Sequence, residues 1–449
     1  MWGFITVMND VLINTFRDVF ELTNFQSGLV QFSFFGAFFV VSLVYFFVSS
    51  SSGDPINKIG YKNGMVLGLV VTGVGCALFY PAGQAQSYGY FLGALFVLAT
   101  GVTLLQIAAN PYAAIMGEAK SAASRLNLAQ GFNSLGTTLG PIIGAILIYS
   151  LFSDGERSPE SVGETYLAYG FVFFALATIT KFSKMPSFKN EEEVEKGFAV
   201  LKYKNLRFGI LAIFFYVGAE VAIGSWLVLY FTDANVLHLD ELTGNKYLAY
   251  YWGGLMIGRL IGALSLSKAK SEGVKKALMP VIGLAAFAFI YFATSLKETN
   301  GQFHFEFLPF KEVALFLVFL ALNYFGFIYG KNSSARTLMV FAGSVIVLIL
   351  ISVLSTGQLA FWAMLATGLF NSIMWSNIFT LSIKGLGKYT SQGSSLLVMA
   401  IVGGAIIPPL QGWFADQPSI GIRWSYLLPI LPYAYLMWFG WWSSKRSNT

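Results

Sequence analysis

Apolar residues run through this chain in long blocks separated by short polar stretches. Most blocks reach the ~20 residues that a helix needs to cross a hydrocarbon core. They predict spans over 2–19, 25–49, 60–81, 89–116, 126–152, 165–183, 205–232, 247–267, 274–296, 311–330, 336–355, 358–383, 391–415 and 423–442, about fourteen helices. The first begins almost at Met1 and has no credible small-residue cleavage site after it. It reads as a retained span with no cytoplasmic leader rather than a signal peptide. The longest polar break, KMPSFKNEEEVEKGFAVLKYK, reads as a linker at 185–204. It divides an N-terminal bundle at 1–184 from a C-terminal part at 205–449. Its EEEVEK run is either a solvated amphipathic stretch or a partner-binding segment.

The basic residues orient the spans. With the N-terminus inside, only Arg17, Arg157, Lys246, Lys297, Lys311 and Arg423 fall on the outer side. All other Lys and Arg residues except Arg259 fall on the inner side, which supports both the orientation and the segment parity. Composition agrees: 56% of the 449 residues are hydrophobic and only 11% charged, where a soluble chain carries about 25%. The net charge of +6 then reflects topology and not a nucleic-acid footprint. The only cysteine, Cys76, lies in an apolar stretch, which excludes a disulfide framework or a thiolate metal cluster.

Three charged residues fall well inside apolar spans: Asp10, Glu220 and Arg259. Ionised groups at that depth are costly and usually face a cavity or a partner. Asp10 sits midway along the first span, after Asn9 and one turn before Asn14. It reads as a proton or cation site, or as a carboxylate bonded for packing. Glu220 follows Tyr216 by one turn and is flanked by Gly218 and Gly224. It reads as a second exchangeable acid, or as the partner of Arg259 one span later. Arg259 itself is structural or gating.

Amides cluster on helical faces. Gln106 and Asn110 are four apart beside Pro111, and Asn127, Gln130 and Asn133 recur at three-residue spacing. Asn371 and Trp375 are four apart, with Asn377 close by. One such residue is ordinarily interhelical glue, because buried amides need partners. Three faces with a Trp among them read as the lining for a polyhydroxylated ligand, the Trp stacking on an apolar sugar face. SGDPINKIGYKNG places Asp54 between spans two and three, either as a polar turn or as a gate pairing with a neighbouring helix end. Both histidines, His238 and His304, sit in external loops. No nucleotide loop, nucleophile elbow or metal cluster is visible, so neither an enzyme nor a resident cofactor is expected.

The stretches GFITVMNDVLI, LLQIAANPYAAIMG, SRLNLAQGFNSLGTTLGP, YVGAEVAIGSWLV, MIGRLIGA and FNSIMWSNIFTLSIKGLG resemble the fucose–galactose–glucose:proton symporter family of the major facilitator superfamily. YVGAEVAIGS points to its glucose/galactose branch. The resemblance implies an all-α polytopic membrane protein, two six-helix bundles that rock about a central sugar site. It implies that Asp10 holds the first-helix acidic position, and that Gln106, Asn110, Gln130 and Asn133 contact sugar. Asn9, Asn371, Trp375 and Asn377 join the substrate residues, Asp10 and Glu220 the cation-coupling ones. Arg259, Asp54 and Arg125 are gating or structural. The chain departs from the family in three ways. Gln106 stands where the fucose transporter has an acid, which leaves coupling to Glu220 or to sodium. Asn57 stands where an acid is expected, which weakens the Asp54 gate. An extra helix pair at 274–330 raises twelve helices to about fourteen.

These features converge on secondary active uptake of a hexose such as glucose or galactose by proton or sodium symport. Alternatives are another sugar, such as N-acetylglucosamine or fucose, and a non-transporting membrane sugar sensor. A drug antiporter should have a more apolar cavity, and a sensor usually carries an added soluble domain. The expected setting is a bacterial inner membrane with both termini cytoplasmic. The expected partners are a monosaccharide and the bilayer, with no nucleic acid and a monomeric state.

Overall fold

The computed structural model describes residues 1–152, 158–186, 188, 197–239, 241–268, 271–299 and 302–446. Within helices, the side chains of Asp10, Asn14 and a few others lie outside the described residues. The helices in chain order are α1 Trp2–Val19, α2 Asn24–Ser52, α3 Pro55–Ile59, α4 Tyr61–Ala77, α5 Phe79–Gln84, α6 Tyr88–Ile115 and α7 Ala122–Ile146. Next come α8 Pro159–Phe182, α9 Lys204–Thr232, α10 Glu241–Ser265, α11 Glu272–Ser295, α12 Phe310–Gly330 and α13 Ser334–Leu354. Last are α14 Gly357–Asn371, α15 Met374–Ile383, α16 Thr390–Met399, α17 Gly403–Ala415, α18 Gly421–Ser425 and α19 Ile430–Arg446. Among the described residues, ten helical stretches are long and apolar enough to cross a membrane.

Helices lie over the apolar blocks, and their ends differ from the sequence reading where local chemistry intervenes. The span expected from 165 starts at Pro159, because Ser158 caps it in a reciprocal box with Ser161 and proline suits the first helical position. The span expected at 423–442 is a short α18, a turn, and then α19 from Ile430. Pro429 directly precedes that helix, and the residue before a proline is pushed out of helical geometry. Between α11 and α12 an antiparallel hairpin pairs β1 Leu296–Thr299 with β2 Gln302–Phe305 in what reads from sequence as a plain loop.

The chain forms two compact units. The first comprises Met1–Met116, Leu139–Arg207 and Gly385–Val402; the second comprises Gly117–Thr138, Phe208–Lys384 and Gly403–Thr449. In the first unit α4 packs against α6 and α8, and glycine lets the backbones close in. A Cβ on Gly101 would collide with the Thr72 amide nitrogen. In the second unit α10 runs along α14. A Cβ on Gly258 would collide with Ser372 Oγ and lie 2.8 Å from the Leu369 carbonyl oxygen.

That approach matters because α14 stops at Asn371 and α15 begins at Met374, so the span expected at 358–383 is interrupted near its middle. Ser372 and Ile373 form the turn between them. Gly258→Val should force α10 off this turn and cost about 1–3 kcal/mol as an overpacked contact. Thermal unfolding of the purified protein in detergent measures it, and an unchanged melting temperature would show that the two helices are not in such close contact.

Candidate functional site

In the second unit, polar side chains converge on the interruption of α14. Tyr216 of α9 donates its hydroxyl to Glu220 Oε1 at 2.7 Å and lies 3.0 Å from the Asn371 carbonyl. Tyr251 of α10 donates to the Glu220 carbonyl at 2.8 Å and accepts from Asn371 Nδ2 at 3.1 Å. Tyr433 of α19 donates to Asn371 Oδ1 at 2.7 Å. All three tyrosines and Asn371 are fully buried. Their spacing follows from helical geometry: Tyr216 and Glu220 are four apart, so they share a face of α9.

Arg259 of α10 closes this network. Its Nε donates to the Ser372 carbonyl at 3.1 Å and its Nη1 donates to Ser134 Oγ of α7. Its Nη2 lies 3.8 Å from Glu220 Oε1, within Coulombic reach but beyond a hydrogen bond. Glu220 and Arg259 are 8% and 9% exposed. The carboxylate thus takes its direct bond from a neutral phenol, while the cation beside it is anchored elsewhere. From sequence, coupling acid and ion pair are alternatives for Glu220; the geometry puts Arg259 within Coulombic reach of it without a direct hydrogen bond.

The remaining expected substrate residues divide by unit. In the first unit Asn9 and Asn110 are buried, and among the described residues neither amide atom of either has a hydrogen-bond partner; Gln106 is also buried. Asp10 lies on α1, with its side chain outside the described residues. In the second unit Asn127 is buried with both amide atoms unpartnered among the described residues, Gln130 is buried, and Asn133 is half-buried. Trp375 stacks on Phe379 with ring centroids 5.1 Å apart. Asn377 is fully buried and donates to the Ser334 carbonyl of α13 at 3.1 Å, an interhelical bond.

Asp54, in the first unit, is 2% exposed and caps α3 through the amides of Ile56 and Asn57. It also accepts the hydroxyls of Tyr45 at 2.8 Å, Ser49 at 3.0 Å and Ser391 at 2.7 Å. Asn57, expected to weaken this contact, instead donates Nδ2 to the Lys388 carbonyl at 3.0 Å. In the second unit Arg125 donates Nη1 to Ser121 Oγ at 2.8 Å and to the Glu118 carbonyl at 3.2 Å. The Glu118 carboxylate pairs with Lys268, just beyond α10. The Lys268 hydrogen bond and charge hold Glu118 below the usual carboxylate range. The stabilisation from this pair is therefore present above the ordinary carboxylate pKa and is lost as pH falls through the lowered value.

Sequence reading missed Tyr251, Tyr433, Ser134 and Ser391. The first two could have been found as hydroxyls in apolar spans, in YYWGG and LPYAYLM. The serines bind partners far away in the chain, and no local pattern marks them.

Helices long enough to cross a bilayer, with buried carboxylates and a buried arginine among them, define a polytopic membrane protein. The chain belongs to the major facilitator superfamily, whose sequence profile matches residues 2–330. It is 41% identical over 450 aligned residues to the glucose/galactose transporter of Brucella abortus (strain 9-941), covering 99% of this chain and 92% of that one. It is 38% identical to the putative glucose/galactose transporter of Helicobacter pylori (strain 26695), covering 98% and 93%. The crystal structure of a variant of the E. coli fucose:proton symporter superposes with a TM-score of 0.73 at 25% identity, covering 98% and 95%.

Among the described residues, the Tyr216 hydroxyl is the one hydrogen-bond donor to Glu220 Oε1. Tyr216→Phe should cost about 1–3 kcal/mol, because it strands a buried acceptor. Tyr435→Phe, which loses one half-buried bond to the Phe208 carbonyl, is the control. Equal melting temperatures for the two variants would contradict a stabilising role for the Tyr216 bond.

Proposed function

We propose that this chain is a secondary active transporter that takes up a monosaccharide, a hexose such as glucose or galactose, together with a proton. The names of its relatives support this reading, and the arrangement at Glu220 carries it. A proton on Glu220 and the nearby Arg259 are alternative ways of neutralising the same carboxylate. Arg259 keeps its bonds to Ser134 and the Ser372 carbonyl in either case, so protonation strands no cation. Asp10, at the family's first-helix acidic position, is the second coupling group.

Sugar hydroxyls would meet the unpaired amides of Asn9, Asn110 and Asn127, together with Gln106, Gln130 and Asn133. Asn371 would reach a sugar only by exchanging a tyrosine partner, and Trp375 has one ring face covered by Phe379. In this reading the halves 1–184 and 205–449 rock about the site, with Asp54 and Arg125 at gating positions and 185–204 as a cytoplasmic linker. The chain crosses a bacterial inner membrane about fourteen times as a monomer with both termini cytoplasmic, and α11 and α12 form the extra pair.

Uptake into proteoliposomes, using a panel of labelled sugars and separate pH and sodium gradients, tests this. A hexose should accumulate under an inward proton gradient. Asp10→Asn and Glu220→Gln should each lower uphill uptake by about a hundredfold, as loss of a proton-transfer group does, while retaining sugar exchange. Accumulation on sodium alone would reassign the ion, and failure of either gradient to move any sugar would refute the proposal. Full uphill uptake by Glu220→Gln would remove Glu220 from coupling.

A further inference from the structure

The α14 interruption exposes backbone acceptors that a continuous helix would satisfy internally. Three carbonyls there meet side-chain donors from other helices. The Asn371 carbonyl faces Tyr216, the Ser372 carbonyl accepts from Arg259, and the Leu369 carbonyl accepts from Asn323 Nδ2 at 3.0 Å as well as from the Ser372 hydroxyl at 2.6 Å within the turn. The first two donors belong to helices already at the site. Asn323 does not: it lies on α12, in the pair that the sequence pattern sets apart from the rest.

Asn323 is fully buried, and among the described residues its Oδ1 has no hydrogen-bond partner. A buried amide that uses half its capacity is costly, and a leucine of similar volume would fill the space without that cost. Its one bond therefore accounts for its presence. That bond ends two residues before Asn371, whose amide is fixed by Tyr251 and Tyr433, and three before Ser372, whose carbonyl holds Arg259 beside Glu220. A shift of the 369–372 backbone moves all of these together.

We propose that Asn323 is a positioning residue for the transport site, so that the α11–α12 pair sets the geometry of the site rather than lying beside it. Asn323 touches no transported group; it acts through the Leu369 carbonyl on Asn371 and Arg259. This rests on the sugar-uptake reading for its kinetic consequence, but its structural content is independent.

The experiment compares wild type, Asn323→Ala, Asn323→Gln and Leu322→Ala in proteoliposomes and by hydrogen–deuterium exchange of the purified chain. Leu322 is half exposed on the neighbouring face of α12 and serves as the control. Asn323→Ala should raise amide exchange over 369–375 at least fivefold, and raise KM for the transported hexose about fivefold with Vmax within about twofold, the effect expected of one lost hydrogen bond. Leu322→Ala should match wild type. Asn323→Gln, which keeps the donor but displaces it, should fold with wild-type melting and show a smaller KM increase. It carries the test if Asn323→Ala does not fold. Wild-type exchange and KM in a folded Asn323 variant would overturn the inference, as would a matching change in Leu322→Ala. If wild type moves no monosaccharide, the uptake reading fails, and exchange at 369–375 still decides whether Asn323 holds the turn.

Discussion

Inside an apolar medium a peptide carbonyl has no water to turn to, and the structure of the second unit is organised around that constraint at one place. Where α14 gives way to α15, the carbonyls of Leu369, Asn371 and Ser372 face donors from α12, α9 and α10. Glycine at 258 lets α10 approach closely enough for Arg259 to reach its acceptor. Arg259 is anchored on the Ser372 carbonyl and on Ser134 rather than hydrogen-bonded to Glu220.

Asp54 and Glu220 show different ways of keeping a carboxylate in a protein interior. Asp54 accepts from three hydroxyls and from the first amides of α3, all of them neutral donors. Its lone pairs are taken up by directed hydrogen bonds. Glu220 takes one phenol bond and has a guanidinium at 3.8 Å that is committed to other acceptors. A carboxylate saturated with donors is suited to holding an element in place. One with a single direct donor, beside a counter-charge that has its own anchors, is suited to changing its state.

How much of this was legible in the sequence follows from the range of each interaction. The helices were legible because a bilayer imposes a length and an apolar content that a linear pattern records directly. Glu220, Arg259 and Asn371 were legible because a polar residue stands out against that background. Tyr251 and Tyr433 were readable only as hydroxyls within apolar spans, a weak contrast, since tyrosine is as much at home in an apolar helix as at its interface. The interruption after Asn371 has no proline or glycine at its turn, Ser372 and Ile373, so nothing local announces it. The start of α8 was readable in principle from Ser158 and Pro159, but the polar residues Glu160 and Glu164 obscured it by delaying the apolar run.

The α11–α12 pair shows why apolar content alone is a poor guide to what a helix does. Much of its surface is exposed side chain, as befits contact with lipid, and by pattern it reads as an extra pair. Yet it is fixed at three levels. Near one end Glu272 joins the buried Lys275 to Asn332, in the turn before α13. Near the other, Lys246 and Tyr247 of α10 bind Glu306, just after β2, and Glu312, in the first turn of α12. Between them Asn323 reaches the α14 backbone. End contacts of this kind, partly exposed, contribute little on their own. They restrict how far α12 can slide or tilt, so that Asn323 in its middle meets the Leu369 carbonyl, beside the Ser372 hydroxyl that binds the same oxygen. An amide suits this task better than a charge, because it supplies a donor to the carbonyl without adding a second cation beside Arg259.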